Sequence, residues 1–203
     1  MSGWVDEQLR SRGIADARVL AAMAGVPREL FVPAGLEPAA YDDEALPIGC
    51  GQTISQPYIV AVICESLALR GDERVLDVGT GSGYQAAVLS SLAAEVVSIE
   101  LLPELAERAA RNLERAGLRD RVDLRVGDGT LGVPDRAPFG GIAVAAAAAR
   151  LPPPLWQQLA PGARIVLPLG GAERQFLEVL ERGPAGARLL GRRPVRFVPL
   201  VGA

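Results

Sequence analysis

Glycines and carboxylates follow three successive predicted strands of this chain. A glycine-rich stretch, residues 79–83, follows the apolar run 74–78, the next strand ends at Glu100, and the third ends at residues 127–129, Gly-Asp-Gly. Glycines that precede a helix let the backbone approach a ligand closely and leave helix N–H groups available to it. A carboxylate at the tip of the second strand can accept hydrogen bonds from a ribose diol. Together these features predict a nucleoside site at the carboxyl edge of a parallel sheet.

The spacing of the glycines argues against a pyrophosphate ligand. The dinucleotide fingerprint is G-x-G-x-x-G, whereas this chain has G-x-G-x-G, with Tyr84 where the last glycine would stand. Taken singly, each feature has a simpler interpretation: the glycines as a tight turn, Glu100 as a solvated strand end, and Asp128 as a turn former between glycines. Their occurrence at three successive strand ends favours a nucleoside site that does not bind a phosphate group. S-adenosyl-L-methionine is a ligand of this kind.

The composition excludes several catalytic devices. The chain has 203 residues and no histidine, and all 21 of its basic residues are arginine. It therefore lacks the histidine of a Ser-His-Asp triad or of a histidine-ligated metal, and the lysine of a Schiff base or a P-loop. Two cysteines, Cys50 and Cys64, are too few for a structural metal site. We expect no metal, and a reaction that needs no histidine base.

Charge and hydropathy indicate the partners and the compartment. A formal net charge of −3 lacks the basic footprint of a nucleic-acid binder, and the arginines within 188–196 are interpreted as a solvated surface. The most apolar run, 142–149, is too short to span a bilayer. Acidic residues at Asp6 and Glu7 are unlike a secretory signal. We expect a cytoplasmic monomer with neither a nucleic-acid nor a membrane partner.

The order of predicted elements indicates an α/β fold. Helices are expected within 4–24 and over 57–69, with a loop over 46–57 between them. Alternation of strands and helices beyond residue 70 implies a right-handed parallel sheet covered by helices. The predicted strands are 74–78, 95–99, 121–126, 142–145 and 163–169, the helices are 83–92, 103–116 and 154–159, and two antiparallel strands follow at 175–182 and 187–200.

The glycine loop and the two acids resemble the class I methyltransferases. That resemblance implies a Rossmann-like fold with a mostly parallel seven-stranded sheet, flanking helices and antiparallel strands at the C-terminal end. It further implies that Glu100 holds the ribose hydroxyls of S-adenosyl-L-methionine, that Asp128 faces the adenine amine, and that the glycine loop faces the methionine part. The product would be S-adenosyl-L-homocysteine. The residues implied to bind the cofactor are Gln52, Ile54, Asp77, Gly79, Thr80, Gly81, Ser82, Gly83, Glu100, Leu101, Asp128 and Gly129.

The first third of the chain narrows the resemblance to one family. Residues 26–33 read VPRELFVP, residues 41–49 read YDDEALPIG, and residues 51–58 read GQTISQPY. These segments look like the protein-L-isoaspartate O-methyltransferases, which methylate isoaspartyl residues of damaged proteins and peptides and so initiate repair through a succinimide. The resemblance covers nearly the whole chain from residue 18 onward. It implies one domain over 1–203, with a helical and substrate-loop extension (1–70) and a cofactor-binding core with the C-terminal strands (71–203).

The implied chemistry suits a chain without histidine. The acceptor is the free α-carboxylate of an isoaspartyl residue, which is ionised near neutral pH, and the methyl donor is an activated sulfonium. The resemblance places Ser55 as the catalytic hydroxyl that orients the acceptor carboxylate, with Thr53 beside it. The alternative interpretation is that Ser55 caps the helix that follows, at residues 57 and 58.

One departure from the family pattern keeps three hypotheses open. The family commonly has a threonine and a proline within 145–150, whereas this chain has alanines up to Arg150. The loop thus lacks a hydroxyl and a rigid turn beside the acceptor pocket. The chain is a repair methyltransferase, or a relative that methylates a carboxylate of a dedicated biosynthetic peptide or small molecule, or a protein that binds the cofactor without turnover.

Overall fold

A seven-stranded sheet forms the centre of the computed structural model, which describes residues 3–202. The strands are β1 (Leu46–Gly49), β2 (Gln52–Ile54), β3 (Arg74–Val78), β4 (Glu95–Glu100), β5 (Val122–Val126), β6 (Phe139–Val144), β7 (Leu159–Gly170), β8 (Gln175–Gly183) and β9 (Gly186–Val195). The large sheet has the order β5-β4-β3-β6-β7-β8-β9, in which β3 to β7 pair in parallel and β8 and β9 are antiparallel. The predicted Rossmann-like class is confirmed.

Helices cover the sheet, and several of them begin at a proline. Proline suits the first turn of a helix because the N–H group it lacks has no partner within the helix. The helices are α1 (Gly3–Gln8), α2 (Ala17–Gly25), α3 (Pro57–Leu67), α4 (Tyr84–Leu89), α5 (Pro103–Arg115) and α6 (Pro153–Gln158). Gly13, with φ 96°, separates α1 from α2, as the sequence predicts. None of these helices, within residues 3–202, is long and apolar enough to cross a bilayer.

The predicted loop at 46–57 is wrong over its first part, because β1 and β2 pair there as an antiparallel hairpin. Leu46 and Ile48 are buried while the residues that alternate with them are exposed, which is the period-two pattern of a strand. The turn consists of Gly49, Cys50 and Gly51, which all have positive φ (90°, 52° and 69°). This hairpin carries residues 52–54 to the edge of the large sheet.

The chain after β9 leaves the sheet earlier than predicted. β9 ends at Val195 because its partner in β8, Gln175, is the first residue of that strand. Residues 196–202 then cross towards the carboxyl edge of the parallel strands. There Ala147 N–H donates to the Val198 carbonyl and Leu200 N–H donates to the Ala147 carbonyl, both at 2.8 Å. The C-terminal segment thereby becomes a wall of the site described next.

Apolar packing joins the N-terminal segment to the sheet. Met23, Phe31 and Tyr84 are buried in one hydrophobic cluster that also includes Val166 of β7. The rings of Phe31 and Tyr84 meet edge to face, with centroids 5.6 Å apart. This contact holds the short helical turn over residues 28–31 against α4, beside the glycine loop.

Candidate active site

A cavity of about 210 Å³ opens at the carboxyl edge of β3 and β4. Its walls are the glycine loop, the end of β4, the β1–β2 hairpin and the C-terminal segment. Most of the predicted site residues therefore lie together around one cavity. Those that line it are Gln52, Thr53, Ile54, Ser55, Gly79, Thr80, Gly81, Ser82, Glu100, Leu101 and Gly129.

The glycine loop follows β3 and turns sharply into α4. Gly79, Gly81 and Gly83 have φ values of 89°, 55° and 90°, a region that side chains rarely adopt. A Cβ on Gly81 would also lie 3.3 Å from Ile48 of the hairpin. The absence of a side chain lets the loop fold back between β4 and the hairpin, with its backbone exposed to the cavity.

Glu100, at the end of β4, fixes the loop and faces the cavity. Its side chain accepts hydrogen bonds from Gly81 N–H at 2.8 Å and Leu102 N–H at 3.0 Å, one to each oxygen. The residue is only 6% exposed. A carboxylate can accept about four hydrogen bonds, so these two contacts leave capacity for a pair of hydroxyl donors. This geometry suits a ribose diol.

Asp77 lies beneath the glycine loop and does not line the cavity. It is fully buried, and its carboxylate accepts 2.7 Å hydrogen bonds from Gln85 Nε2 and Ser98 Oγ. Ser98 Oγ is in turn 2.6 Å from the hydroxyl of Thr80, which does line the cavity. Burial raises the pKa of Asp77 to about 6. Asp77 thus supports the loop from below, and its predicted contact with the cofactor stays a prediction.

Asp128 and Gly83 also lie outside the lining of this cavity. Asp128 caps the short turn that follows it, since one carboxylate oxygen accepts from Thr130 N–H at 2.8 Å and from the Thr130 hydroxyl at 2.6 Å. Gly83 is the N-cap residue of α4, and a Cβ at this position would lie 3.4 Å from the Cβ of Ala109. Gly129 does line the cavity, and a Cβ there would lie 2.6 Å from Val78. The sequence pattern alone does not separate lining from supporting residues.

A second cavity, of about 270 Å³, adjoins the first. The two share Thr53, Ser55, Ala145 and Val198 in their walls. The second cavity is polar, and its wall includes Arg12, Tyr58, Arg193 and Arg196. Arg193 and Arg196 belong to the arginine cluster that the sequence analysis interprets as a solvated surface; both are exposed, as predicted, and both also line this cavity.

Ser55 lies at the junction of the two cavities and does not cap α3. The Tyr58 N–H group in the first turn of that helix donates to Asp43 Oδ1 at 3.2 Å, and Gln56 at the N-cap makes no side-chain capping bond. The helix-capping interpretation of Ser55 is therefore wrong. Within residues 3–202 the Ser55 hydroxyl forms no hydrogen bond to another protein group, so it can donate to a ligand.

Comparisons with known proteins agree with this geometry. The family model of protein-L-isoaspartate(D-aspartate) O-methyltransferase matches residues 4–203. The chain belongs to this family. The protein-L-isoaspartate O-methyltransferase of Methanoculleus marisnigri is 54% identical over 198 residues, which cover 98% of this chain and 90% of that protein. The resemblance predicted from the motifs in the first third of the chain is confirmed.

Solved structures show the same fold. One protein-L-isoaspartate O-methyltransferase superposes with a TM-score of 0.88 at 30% identity, covering 98% of this chain and 65% of that chain, so this chain spans about two thirds of that longer protein. A Plasmodium falciparum protein, solved in complex with S-adenosyl-L-homocysteine, superposes with a TM-score of 0.84 at 24% identity, covering 98% of this chain and 97% of that chain. At that identity the likeness shows the shared fold.

Arg28, in the VPRELFVP motif of this family member, is a site residue that sequence reasoning missed. It is fully buried, and its guanidinium donates to the Ala40 carbonyl at 2.6 Å and the Ser55 carbonyl at 2.8 Å. Its guanidinium carbon also lies 4.8 Å from the centre of the Tyr84 ring. Burial lowers the pKa of Arg28 to about 10, so the group stays charged at neutral pH. An arginine amid apolar residues in the motif was the available signal.

Proposed function

We propose that this family member transfers a methyl group from S-adenosyl-L-methionine to the free α-carboxylate of L-isoaspartyl residues in damaged proteins or peptides. The observation that carries the proposal is the position of Ser55 between the two cavities. One cavity has the glycine loop and the Glu100 carboxylate that suit a nucleoside, and the other has arginines that suit an anionic acceptor. A methyl group that passes from one ligand to the other crosses at Ser55.

The first cavity fits the cofactor on the chemistry of its donors and acceptors. Glu100 would accept the ribose hydroxyls, and the open backbone of residues 79–82 would face the methionine part. Ile54, Leu101 and Gly129 supply apolar and close-packed walls, and Gln52 adds an amide at the rim. When bound, the cofactor supplies a methyl group on a sulfonium, which is already activated for transfer. Asp77, Gly83 and Asp128 support these walls from outside the lining.

The acceptor needs placement and no general base. An α-carboxyl group has a pKa of about 3.5 and is ionised at neutral pH, so a chain without histidine can perform the reaction. We propose that the Ser55 hydroxyl donates a hydrogen bond to one carboxylate oxygen and leaves the other oxygen directed at the methyl carbon, with Thr53 beside it. That oxygen forms the new bond to carbon while the methyl–sulfur bond breaks, and the electron pair stays on sulfur. Orientation of this kind accounts for much of a catalysed rate.

Repair follows from the chemistry of the ester. The backbone nitrogen of the next residue attacks the methyl ester, methanol leaves, and a succinimide forms. Hydrolysis of the succinimide converts a fraction of the damaged residues of the substrate to normal aspartate. These later steps need no catalytic group of the protein.

Paired peptides test the proposal. An isoaspartyl peptide and its aspartyl twin, which differ only in which carboxyl joins the backbone, are incubated with the cofactor, and methanol release is measured after the ester has decomposed. We expect methanol from the isoaspartyl peptide alone. Turnover of neither peptide, with measurable cofactor affinity, would instead favour a dedicated carboxylate substrate or a binding protein without turnover.

We also propose that the protein is a monomer and that it is located in the cytoplasm. Light scattering on the purified protein tests the first, and fractionation of the cells that express it tests the second.

A further inference from the structure

The second cavity, called the acceptor cavity below, carries positive charge in a chain of net charge −3. Its wall contains Arg12, Arg193 and Arg196 and no aspartate or glutamate. Because the chain as a whole is acidic, this local excess of guanidinium groups is a property of the cavity and not of the surface at large.

Two of the three arginines have no acidic partner. Arg12 forms an ion pair with Asp43, and its guanidinium carbon lies 3.6 Å from the centre of the Tyr58 ring. Arg193 donates a hydrogen bond to the Tyr58 hydroxyl. Among residues 3–202, no carboxylate lies within ion-pair distance of Arg193 or Arg196. The acceptor cavity thus presents two positive charges that the protein does not neutralise.

Two other arginines of β9, the strand that carries Arg193, differ in this respect. Arg188 pairs with Glu181 at 2.6 Å and Arg192 pairs with Glu178 at 3.2 Å, and neither lines the acceptor cavity. The arginines that face away from the cavity are therefore neutralised by β8, whereas those that face it are not. This contrast also provides matched control positions on the same strand.

We propose that Arg193 and Arg196 make the protein select isoaspartyl segments that carry a second acidic residue next to the isoaspartate. This inference rests on the proposed function, because it takes the occupant of the cavity to be the methyl acceptor. The acceptor carboxylate supplies one negative charge, and a neighbouring aspartate or glutamate supplies the other. The bond from Arg193 to Tyr58 holds one guanidinium in place before the peptide arrives, which reduces the entropy lost on binding.

The test uses isoaspartyl hexapeptides that differ at one position adjacent to the isoaspartate, occupied by glutamate, glutamine or lysine. One series places this residue before the isoaspartate and a second places it after. Since both arginines are exposed, each step from glutamate to glutamine to lysine should lower kcat/KM by only about 3- to 5-fold. The loss should fall on KM, and it should shrink at about 0.5 M salt, where exposed charges are screened.

Variants assign the selectivity to the residues named. Arg193→Gln and Arg196→Gln should each reduce the glutamate preference, and Arg188→Gln, which changes the net charge equally, should retain it. Unchanged affinity for S-adenosyl-L-homocysteine shows that each variant is folded. Equal kcat/KM for the three peptides, or equal loss of preference in Arg188→Gln, would overturn the inference while leaving the proposed function intact. Failure to methylate any of the peptides would overturn both.

Discussion

Arg28 Nη2 donates a 2.8 Å hydrogen bond to the carbonyl oxygen of Ser55. The same guanidinium holds the Ala40 carbonyl at 2.6 Å, so one buried cation joins two separate segments of the N-terminal region. A backbone carbonyl held in this way fixes the chain on either side of it. The position of the Ser55 side chain between the two cavities therefore depends on a residue that lines neither of them.

Replacement of Arg28 by lysine tests this positioning role. Lysine keeps the charge but lacks the planar fork that reaches two carbonyls at once. We expect kcat to fall about 10- to 100-fold, as for a small misplacement of a reacting group, with S-adenosyl-L-homocysteine affinity nearly unchanged in calorimetry. Arg115→Lys, at an exposed arginine that contacts the Leu30 carbonyl, is the control. A parallel loss of cofactor affinity and kcat in Arg28→Lys would contradict the role.

Removal of the Ser55 hydroxyl should affect turnover far more than cofactor binding. Ser55→Ala leaves the backbone and its bond to Arg28 in place and deletes only the donor that faces the acceptor. Loss of one hydrogen bond to a charged group corresponds to about 1.5–3 kcal/mol, or roughly 10- to 100-fold in kcat. Steady-state kinetics with an isoaspartyl peptide measures this, with the exposed Ser91→Ala as the control. Equal losses of turnover and cofactor affinity would sink the proposed role.

Glu100→Gln should weaken cofactor binding. Glutamine has one acceptor oxygen and an NH₂ group, so it cannot accept from both Gly81 N–H and Leu102 N–H as the carboxylate does. One backbone donor would face another donor, and the ribose would lose an ionised acceptor. We expect the dissociation constant of S-adenosyl-L-homocysteine to rise about 10- to 100-fold. Glu107→Gln, at an exposed position of α5, should leave it unchanged, and a similar rise there would contradict the assignment.

Asp77 should make the protein less stable as the pH rises from about 4 to about 6. Burial raises its pKa from 3.8 to about 6, so in this window the folded state holds a proton that the unfolded state has released. The free energy of unfolding should fall across the window by an amount on the order of 3 kcal/mol and stay level above it. Urea unfolding of the protein and of Asp77→Asn, compared at each pH, isolates this contribution. Parallel stability curves for the two proteins would contradict it.

The same group bears on the pH dependence of the rate. Because the chain has no histidine, we expect that its reaction rate shows no change with pH near 6.5 from a titrating imidazole. Asp77 is a carboxyl that titrates close to that range, and it is connected to the cavity through Ser98 and Thr80. Any enzyme-derived step between about pH 5.5 and 7 should therefore disappear in Asp77→Asn. A step that persists in this variant would require another titrating group.

The predictable part of the molecule is the part whose residues signal their role locally. Strand-helix alternation and prolines at helix starts sufficed for the sheet and most helices, and Glu100 was identifiable from its place at a strand end. The β1–β2 hairpin was missed because its strands are short and rich in glycine and proline. Asp77 is predicted to bind the cofactor but lies buried beneath the loop, because burial there depends on packing across strands that a sequence pattern does not show.

Charges that meet only in three dimensions were also beyond sequence reasoning. Arg193 and Arg196 lie among other arginines in the sequence, and only pairing with β8 separates the neutralised members from those facing the acceptor cavity. Arg12 reaches the same cavity from the opposite end of the chain. Contacts at such long separation leave no periodicity or motif.

The most direct test of the central claim is to find which carboxyl group of the peptide receives the methyl group. The cofactor is supplied with a ¹³C-labelled methyl group, an isoaspartyl peptide is added, and the ester is examined by NMR before it decomposes. We predict one labelled methyl resonance correlated with the α-carboxyl carbon of the isoaspartyl residue, and none with the aspartyl twin. Label on any other carboxyl group, or equal labelling of the twin, would contradict it.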